Sequence, residues 1–377
     1  MTPTKLIGRA LILLTLFAVG YVYWRGHGGA VIRRADVERA TVPPRLNGTH
    51  PCVFADITAG GAIQPALGQC ATPTEHHGSR ERVEADLRYG AFILRETDLL
   101  VNGKMEIPLA RAYFSNAPGY PLAFGLNSNL QYDSAPVGSR FPYTYINLLL
   151  EDNDFLFYKR ISSGTGYKDA VYLHTETSSR FYKSTFAWNG NGWTLRLADG
   201  SEMIFPEAYE AKNLAQGAAT QIIDAAGNKL VLQRDSERNL QQVLSPDGHW
   251  IRFSDDDQGR IVRAEDSNGD SVRYLYNFDG MLVNAIRSSG ADRTYDYDFR
   301  LMTSVTDEHG RVLVRNSYKD GILAKQVYAN GDVYTYAYDW APGKLYANSS
   351  IVTLPDGSQK RIDVAASVPD SLRNREQ

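Results

Sequence analysis

From Leu87 onward the chain alternates apolar with polar residues in short segments. AFILRETDLLV, KMEIPLARAYF, YTYINLLLED, DFLFYKRI, AVYLHTE and RFYKSTFAW carry the pattern, separated by Gly, Asn, Asp and Pro. A period of two bounded by turn residues predicts half-buried strands rather than helices. One stretch, residues 207–219 (EAYEAKNLAQGAA), reads as helical. It is short and contains a Gly, so it reads as an insertion rather than a scaffold element.

The second half carries an internal repeat. Gly227, Gly248, Gly269, Gly290, Gly310 and Gly331 stand at intervals of 21, 21, 21, 20 and 21 residues, each closing a turn-forming stretch such as SPDG or DEHG. A second turn recurs about eleven residues later, at Gly259, Gly280, Gly321 and Gly343. Two turns per unit predict one β-hairpin per repeat, and stacked hairpins make a ribbon. After each repeat Gly, positions three, five and seven share one strand face. They hold Val272, Tyr274 and Tyr276 in one unit, Arg293, Tyr295 and Tyr297 in the next, and Tyr334, Tyr336 and Tyr338 in the last. The return strands supply Leu240, Ile261, Leu282 and Leu323, each thirteen after its Gly. One face of each hairpin is therefore aromatic and aliphatic, and the other is solvated.

Composition sharpens this all-β reading. The chain has 377 residues, with 23 Tyr and 32 Gly but only 5 Met. Aromatics suit pleated surfaces and Gly suits turns. Net charge is −3. A protein that neutralises phosphates carries a basic excess, so nucleic acid is set aside as a partner.

The N-terminus differs from the body. Residues 10–24 (ALILLTLFAVGYVYW) are unbroken apolar, preceded by Lys5 and Arg9, and with Leu6 and Ile7 they approach the length of a bilayer span. Tyr21, Tyr23 and Trp24 close the run, as interfacial aromatics do. No A-x-A site follows at cleavage distance. An uncleaved signal anchor is the expectation, with a cleaved signal peptide as the alternative. Arg25, Arg33, Arg34 and Arg39 after the span favour a cytoplasmic body. The only two cysteines, Cys52 and Cys70, argue for export, because a pair closing one loop with no leftover thiol is how an exported chain staples an irregular segment. The adopted expectation is a single-pass protein of a bacterial inner membrane with its body in the periplasm or outside the cell.

The resulting organisation is an anchor at 1–25, a Gly/Pro-rich stalk with the disulfide loop at 26–82, a β-domain at 83–220, a hairpin ribbon of about six units at 221–346, and a polar tail at 347–377. The units NGDSVRYLYNFDGMLVNAI and NGDVYTYAYDWAPGKL resemble the YD repeat of the Rhs family. TDLL (97–100), PLARAYFS (108–115), PLAFGLNSNLQYD (121–133) and LADGSEMIFP (197–206) are similar to the domain that opens Rhs-type chains, although Leu126 to Asn129 lack its second Gly and its Trp. The resemblance implies a β-ribbon fold, an envelope or secreted setting and a structural or binding role. Full Rhs chains wind dozens of hairpins around a toxin. About six units cannot close such a shell, so encapsulation does not carry over.

Chemistry is sparse in the sequence. No HExxH, GxSxG or Walker A pattern occurs. The DSNGD stretch at 266–270 resembles a calcium loop, but its Gly is misplaced and Asn277 stands where the bidentate Glu belongs. That stretch and Asp255–Asp257 read as solvated repeat turns, and His249 and His309 as turn neighbours at the surface. His50, His76 and His77 lack a four-ligand zinc spacing. No catalytic residue, cofactor or metal is assigned. The expected function is a membrane-anchored envelope protein with a structural, adhesive or binding role, whose partner is a glycan or an envelope protein. One alternative is a carbohydrate-binding or carbohydrate-active protein using Tyr274, Tyr276, Tyr295, Tyr297, Tyr336 and Tyr338 as a platform. Another is an accessory or remnant of an Rhs-type toxin system.

Overall fold

A computed structural model describes residues 46–47, 49–58, 62–71, 81–116, 121–340 and 343–368. Two antiparallel sheets dominate it. The smaller has six strands, ordered Ala66–Ala71, Thr49–Ile57, Glu81–Asp86, Ala91–Val101, Ile107–Phe114 and Ser128–Leu130. The larger has 21 strands and runs in chain order from Ala135–Gly138 to Gln359–Asp363, each strand hydrogen-bonded to the next. One hydrophobic cluster spans both, from Val53 and Phe92 through Tyr158 and Phe205 to Tyr295 and Val352.

The predicted repeat is present as hairpins, and all six repeat glycines have φ between 77° and 95°. A Cβ built on any of them meets nothing within 4 Å. Their requirement is therefore the left-handed backbone itself, not space. Gly125 differs. Its φ is +84° and a Cβ there would lie 2.2 Å from the carbonyl oxygen of Gly280, so backbone approach dictates this glycine too.

Each hairpin also holds a bulge that periodicity alone does not reveal. The register shifts between Ser254 and Asp255, Leu275 and Tyr276, Asp296 and Tyr297, Ser317 and Tyr318, and Asp339 and Trp340. Every shift passes over one residue of the return strand, just after Ile261, Leu282, Met302, Leu323 or Ala347, the first or second residue of that strand. A bulge leaves local backbone groups without ladder partners, and here they bond elsewhere. Ile261 N–H donates to Ala123 O at 2.8 Å, Met302 N–H to the Tyr113 hydroxyl at 3.0 Å, Leu323 N–H to Gly90 O at 2.9 Å and Ala347 N–H to Arg88 O at 2.8 Å. The carbonyls are used as well. The hydroxyls of Tyr276, Tyr297 and Tyr318 donate to Ile261 O, Leu282 O and Met302 O at 2.6, 2.8 and 2.8 Å. The second tyrosine of the motif thus satisfies the bulge of the preceding unit, and the bulge N–H groups seat the ribbon on the small sheet, its turn at residues 87–90 and the short hairpin of Pro121–Leu122 and Gly125–Leu126.

Three boundaries read from sequence need correction. The large sheet starts at Ala135–Gly138, not at 221, and crosses 220 without a break. Its first hairpins use the same turns, such as Gly200 at φ +91°, but without the 21-residue spacing that marks the later ones. It also passes 346, because Ala347–Thr353 and Gln359–Asp363 form one more hairpin around Gly357. That glycine stands 26 residues after Gly331, off the period. The stalk is not irregular where it is described: Thr49–Ile57, Ala66–Ala71 and Glu81–Asp86 pair in the small sheet. Helical character in 207–219 is limited to a 3-10 turn at Leu214–Gly217, capped by Asn213, whose side chain accepts from Gln216 N–H at 3.1 Å. This turn lies against Ala135–Gly138 and covers the first edge of the large sheet. The anchor expected at 1–25 lies outside the described residues, among which no helix is long and apolar enough to cross a membrane.

Candidate functional site

The small sheet carries charge on both faces, in strands that otherwise read as apolar. On the face toward the ribbon, Glu96 stands opposite Arg111, and Asp98 follows across a bulge. Asp98 Oδ2 accepts from Arg111 Nε at 2.7 Å and from the Tyr274 hydroxyl at 2.6 Å, while Oδ1 accepts from Arg287 Nη2 at 2.6 Å. Glu96 Oε2 accepts from the Tyr295 hydroxyl and lies beside Arg111 Nη2, each at 2.6 Å. Farther out, Glu81 bridges Arg287 and Arg293 at 3.0 and 2.6 Å, and Glu308 meets Arg293 at 2.9 Å. Four carboxylates thus face three guanidiniums. Glu96 and Asp98 are both fully buried.

Burial works to raise the pKa of Asp98, but Arg111 and Arg287, with hydrogen bonds from Arg111 and Tyr274, hold it well below the usual carboxylate range. The Glu81 carboxyl is pushed up by burial and then by the charge of Glu96. Burial, reinforced by Asp98, raises the Tyr274 phenol well above its ordinary value. These rings serve as hydrogen-bond donors to carboxylates.

The other face of the small sheet holds a second network beside the disulfide. Arg88 contacts Asp86 at 2.7 Å and Asp154 at 3.3 Å, and Arg95 contacts Glu84 at 3.3 Å and Asp152 at 2.7 Å. His50 Nε2 lies 3.5 Å from Asp86. Burial and the charge of Arg88 push the imidazole down to about 3, so it is neutral at physiological pH. His174, in the large sheet, is depressed by burial to about 4, with its ring nitrogens on Phe157 O and the Thr177 hydroxyl at 2.7 Å each.

A folded-state value below the unfolded one means stability that is full above the unfolded value, near 6.5, and lost as pH falls. For His174 that window runs from about 6.5 to about 4. Removing the group should flatten the dependence there by up to about 1.4 kcal/mol per pH unit. Denaturant melts of wild type and His174→Gln at pH 7.5, 6 and 5 check this. Identical slopes would show that the imidazole is not buried neutral.

Burial places the repeat tyrosines in or against the core, not on an open platform. Tyr274, Tyr295 and Tyr336 are 2%, 1% and 7% exposed, inside the core. Tyr276, Tyr297 and Tyr338 are part-buried against it. Tyr336 donates to Gln326 Oε1 at 2.6 Å in a further buried polar row. The Asx turn is present, since Asp266 Oδ1 accepts from Asn268 and Asp270 N–H at 2.8 and 3.1 Å, but the Asp266 side chain is buried instead of solvated. The Asp256 side chain likewise accepts from Gln258 and Arg260 N–H. The expected disulfide joins Cys52 to Cys70.

Two features escaped sequence reading. One is a cleft of about 630 Å³ between the sheets, floored by Tyr132, Leu148, Phe181, Met203 and Ile222 and edged by Glu106, Arg180, Asp199, Glu202 and Asp224. The other is an exposed aromatic patch. Phe141 and Tyr209 are 62% and 54% exposed, with ring centroids 5.9 Å apart. The Arg140 guanidinium sits 5.0 Å over Tyr209, and Glu207 ties that arginine to Trp193 Nε1. Neither feature is periodic, and their residues come from distant segments.

No family model matches the chain, and no curated protein matches it. Solved structures do show a likeness. A chain of the TcdB2-TccC3 crystal structure is 10% identical, with 83% of this chain and 18% of that chain covered and a TM-score of 0.31. For the TcdB2-TccC3-TEV crystal structure the values are 12%, 92%, 21% and 0.26. A chain of the Photorhabdus luminescens Tc holotoxin pore gives 9%, 81%, 16% and 0.25. The chain spans about a fifth of the length of those it resembles. At this depth of likeness the architecture rests on the strands of this chain alone.

Proposed function

We propose that this chain is a non-catalytic scaffold of the bacterial envelope, a hairpin-ribbon body held at the inner membrane by residues 1–25 and presenting its outer surface to a partner. The observation that carries the reading is the fate of the repeat tyrosines. Their rings fill the core, and hydroxyls of the row donate to buried carboxylates or bulge carbonyls, so the motif builds the body instead of binding a ligand. The buried ion networks serve the same end: they orient two sheets against each other and their charges largely compensate.

The experiment is fractionation of a bacterium expressing the full chain, with protease added to spheroplasts. The body should stay with membranes and be digested from outside. A body protected from protease, or released by carbonate washing, would overturn the reading.

Glycan binding is a second reading, moved from the repeat rows to the patch of Phe141 and Tyr209, whose exposed aromatic surface suits sugar stacking. An oligosaccharide array bound by wild type and not by Phe141→Ala/Tyr209→Ala would place it ahead of a purely structural role. Partnership with an Rhs-type toxin system rests on the resemblance of the repeats alone.

A further inference from the structure

Sequence spacing gives no zinc signature around His50, yet folding makes a compact donor set there. One ligand atom each from His50, Cys70 and Glu84 lie within 4.8 Å of one another. Cys52 is bonded to Cys70 and is therefore a further candidate donor beside this group of three. Strand geometry explains the convergence. His50 and Cys52 are two apart on Thr49–Ile57 and share a face. Cys70 stands opposite His50 on the neighbouring strand, and Glu84 opposite Phe54 on the other side. The four are 0–2% exposed. Glu84 Oε1 meets Arg95, whereas its buried Oε2 has no hydrogen-bond partner among the described residues.

We propose that reduction of the Cys52–Cys70 bond converts this point into a zinc site with Cys52, Cys70, His50 and Glu84 as ligands. The same hairpin is then clasped by sulfur in oxidising surroundings and by metal in reducing ones. Two thiolates, an imidazole and a carboxylate are a closed four-donor set of the kind zinc holds tetrahedrally. Ligand distances of about 2.0–2.3 Å require the donors to draw together and the two sulfurs to separate to roughly 3.8 Å. The strand that must shift, Ala66–Ala71, is the outermost of its sheet, with a neighbour on one side only.

The chemistry balances. A dithiol reductant gives two electrons and two protons to the S–S bond and becomes a disulfide itself, leaving two thiols on this chain. Zinc then displaces one proton from each thiol. The bound ion with two thiolates and Glu84 carries one net negative charge, and the guanidinium of Arg95, 3.3 Å from Glu84, compensates it.

The test uses the full chain, reduced with a phosphine under anaerobic conditions and titrated with Co²⁺, then Zn²⁺. One equivalent of cobalt should give tetrahedral absorption bands and thiolate-to-cobalt charge transfer, both bleached by zinc, and the oxidised protein should give neither. Glu84→Gln should weaken zinc binding by at least about tenfold, the loss that follows even from removing an outer-shell partner. Absence of the charge-transfer band overturns the proposal. So does equal zinc affinity in wild type, His50→Gln and Glu84→Gln, which would mean adventitious capture by free thiols. Thermal melts supply a second measurement: reduced protein with zinc should melt above reduced protein without it, and coincident melts would also refute the site.

Discussion

Asp98→Ala should destabilise the body by about 3–5 kcal/mol, the usual cost of breaking a buried ion pair from one side. Asp98 anchors Arg111 and Arg287 and accepts from the Tyr274 hydroxyl, so its loss takes one carboxylate from two buried guanidiniums, which keep Glu96 and Glu81, and leaves the buried hydroxyl without this acceptor. Asp279→Ala, on an exposed turn, should shift stability by less than about 0.5 kcal/mol. Denaturant melts of both variants measure this. A further variant sharpens the result: Asp98→Leu combined with Arg287→Met removes both signs of charge and should recover part of the loss. If Asp98→Ala melts like wild type, the network contributes nothing to holding the sheets together.

Tyr295→Ala should cost about 3–5 kcal/mol, through lost burial and the cavity left behind. Tyr295→Phe isolates the hydroxyl, which donates to Glu96 and accepts from Arg111, and should cost about 1–3 kcal/mol. Tyr336→Ala should behave like Tyr295→Ala, because its ring is buried too and its hydroxyl bonds Gln326. Thr294→Ala, on the other face of the strand bearing Tyr295, should do little. Melts of the four variants decide the matter. Near-wild-type stability in both alanine variants would return the tyrosine row to solvent and revive it as a ligand platform.

The parts of this architecture that were legible in sequence are those with a period. Glycines every 21 residues disclosed the hairpins from Gly227 to Gly331, and alternation around Tyr274 and Tyr295 disclosed which face is buried. Of the hairpins without the period, segments such as Tyr145–Leu149, Phe155–Arg160 and Thr185–Trp188 read as strands, but their membership in the same sheet is not visible. The buried ions were harder to see. Arg95, Glu96 and Asp98 interrupt AFILRETDLLV, and a charge inside an apolar strand is the available signal, but its partners Arg287 and Arg293 lie nearly two hundred residues away. Only tertiary pairing joins them. The proposed zinc donors were hidden for a related reason: His50 and Cys52 sit in a segment whose Gly and Pro content reads as irregular, and Glu84 reaches them from the neighbouring strand more than thirty residues on.

The bulges impose a rule on length. Successive return strands, at Ile261, Met302, Leu323 and Ala347, are received in order by Ala123, Tyr113, Gly90 and Arg88, while Gly280 O accepts from Leu126 N–H in between. The small sheet, its turn at residues 87–90 and the separate hairpin of Pro121–Leu122 and Gly125–Leu126 therefore act as a ruler, and each of these ribbon hairpins is matched to one mark. Deleting a whole unit between Gly248 and Gly331 would preserve every local motif and still put each later hairpin on the wrong graduation. Repeats elsewhere in a stacked ribbon can be gained or lost cheaply, but in this stretch their number is counted by a template.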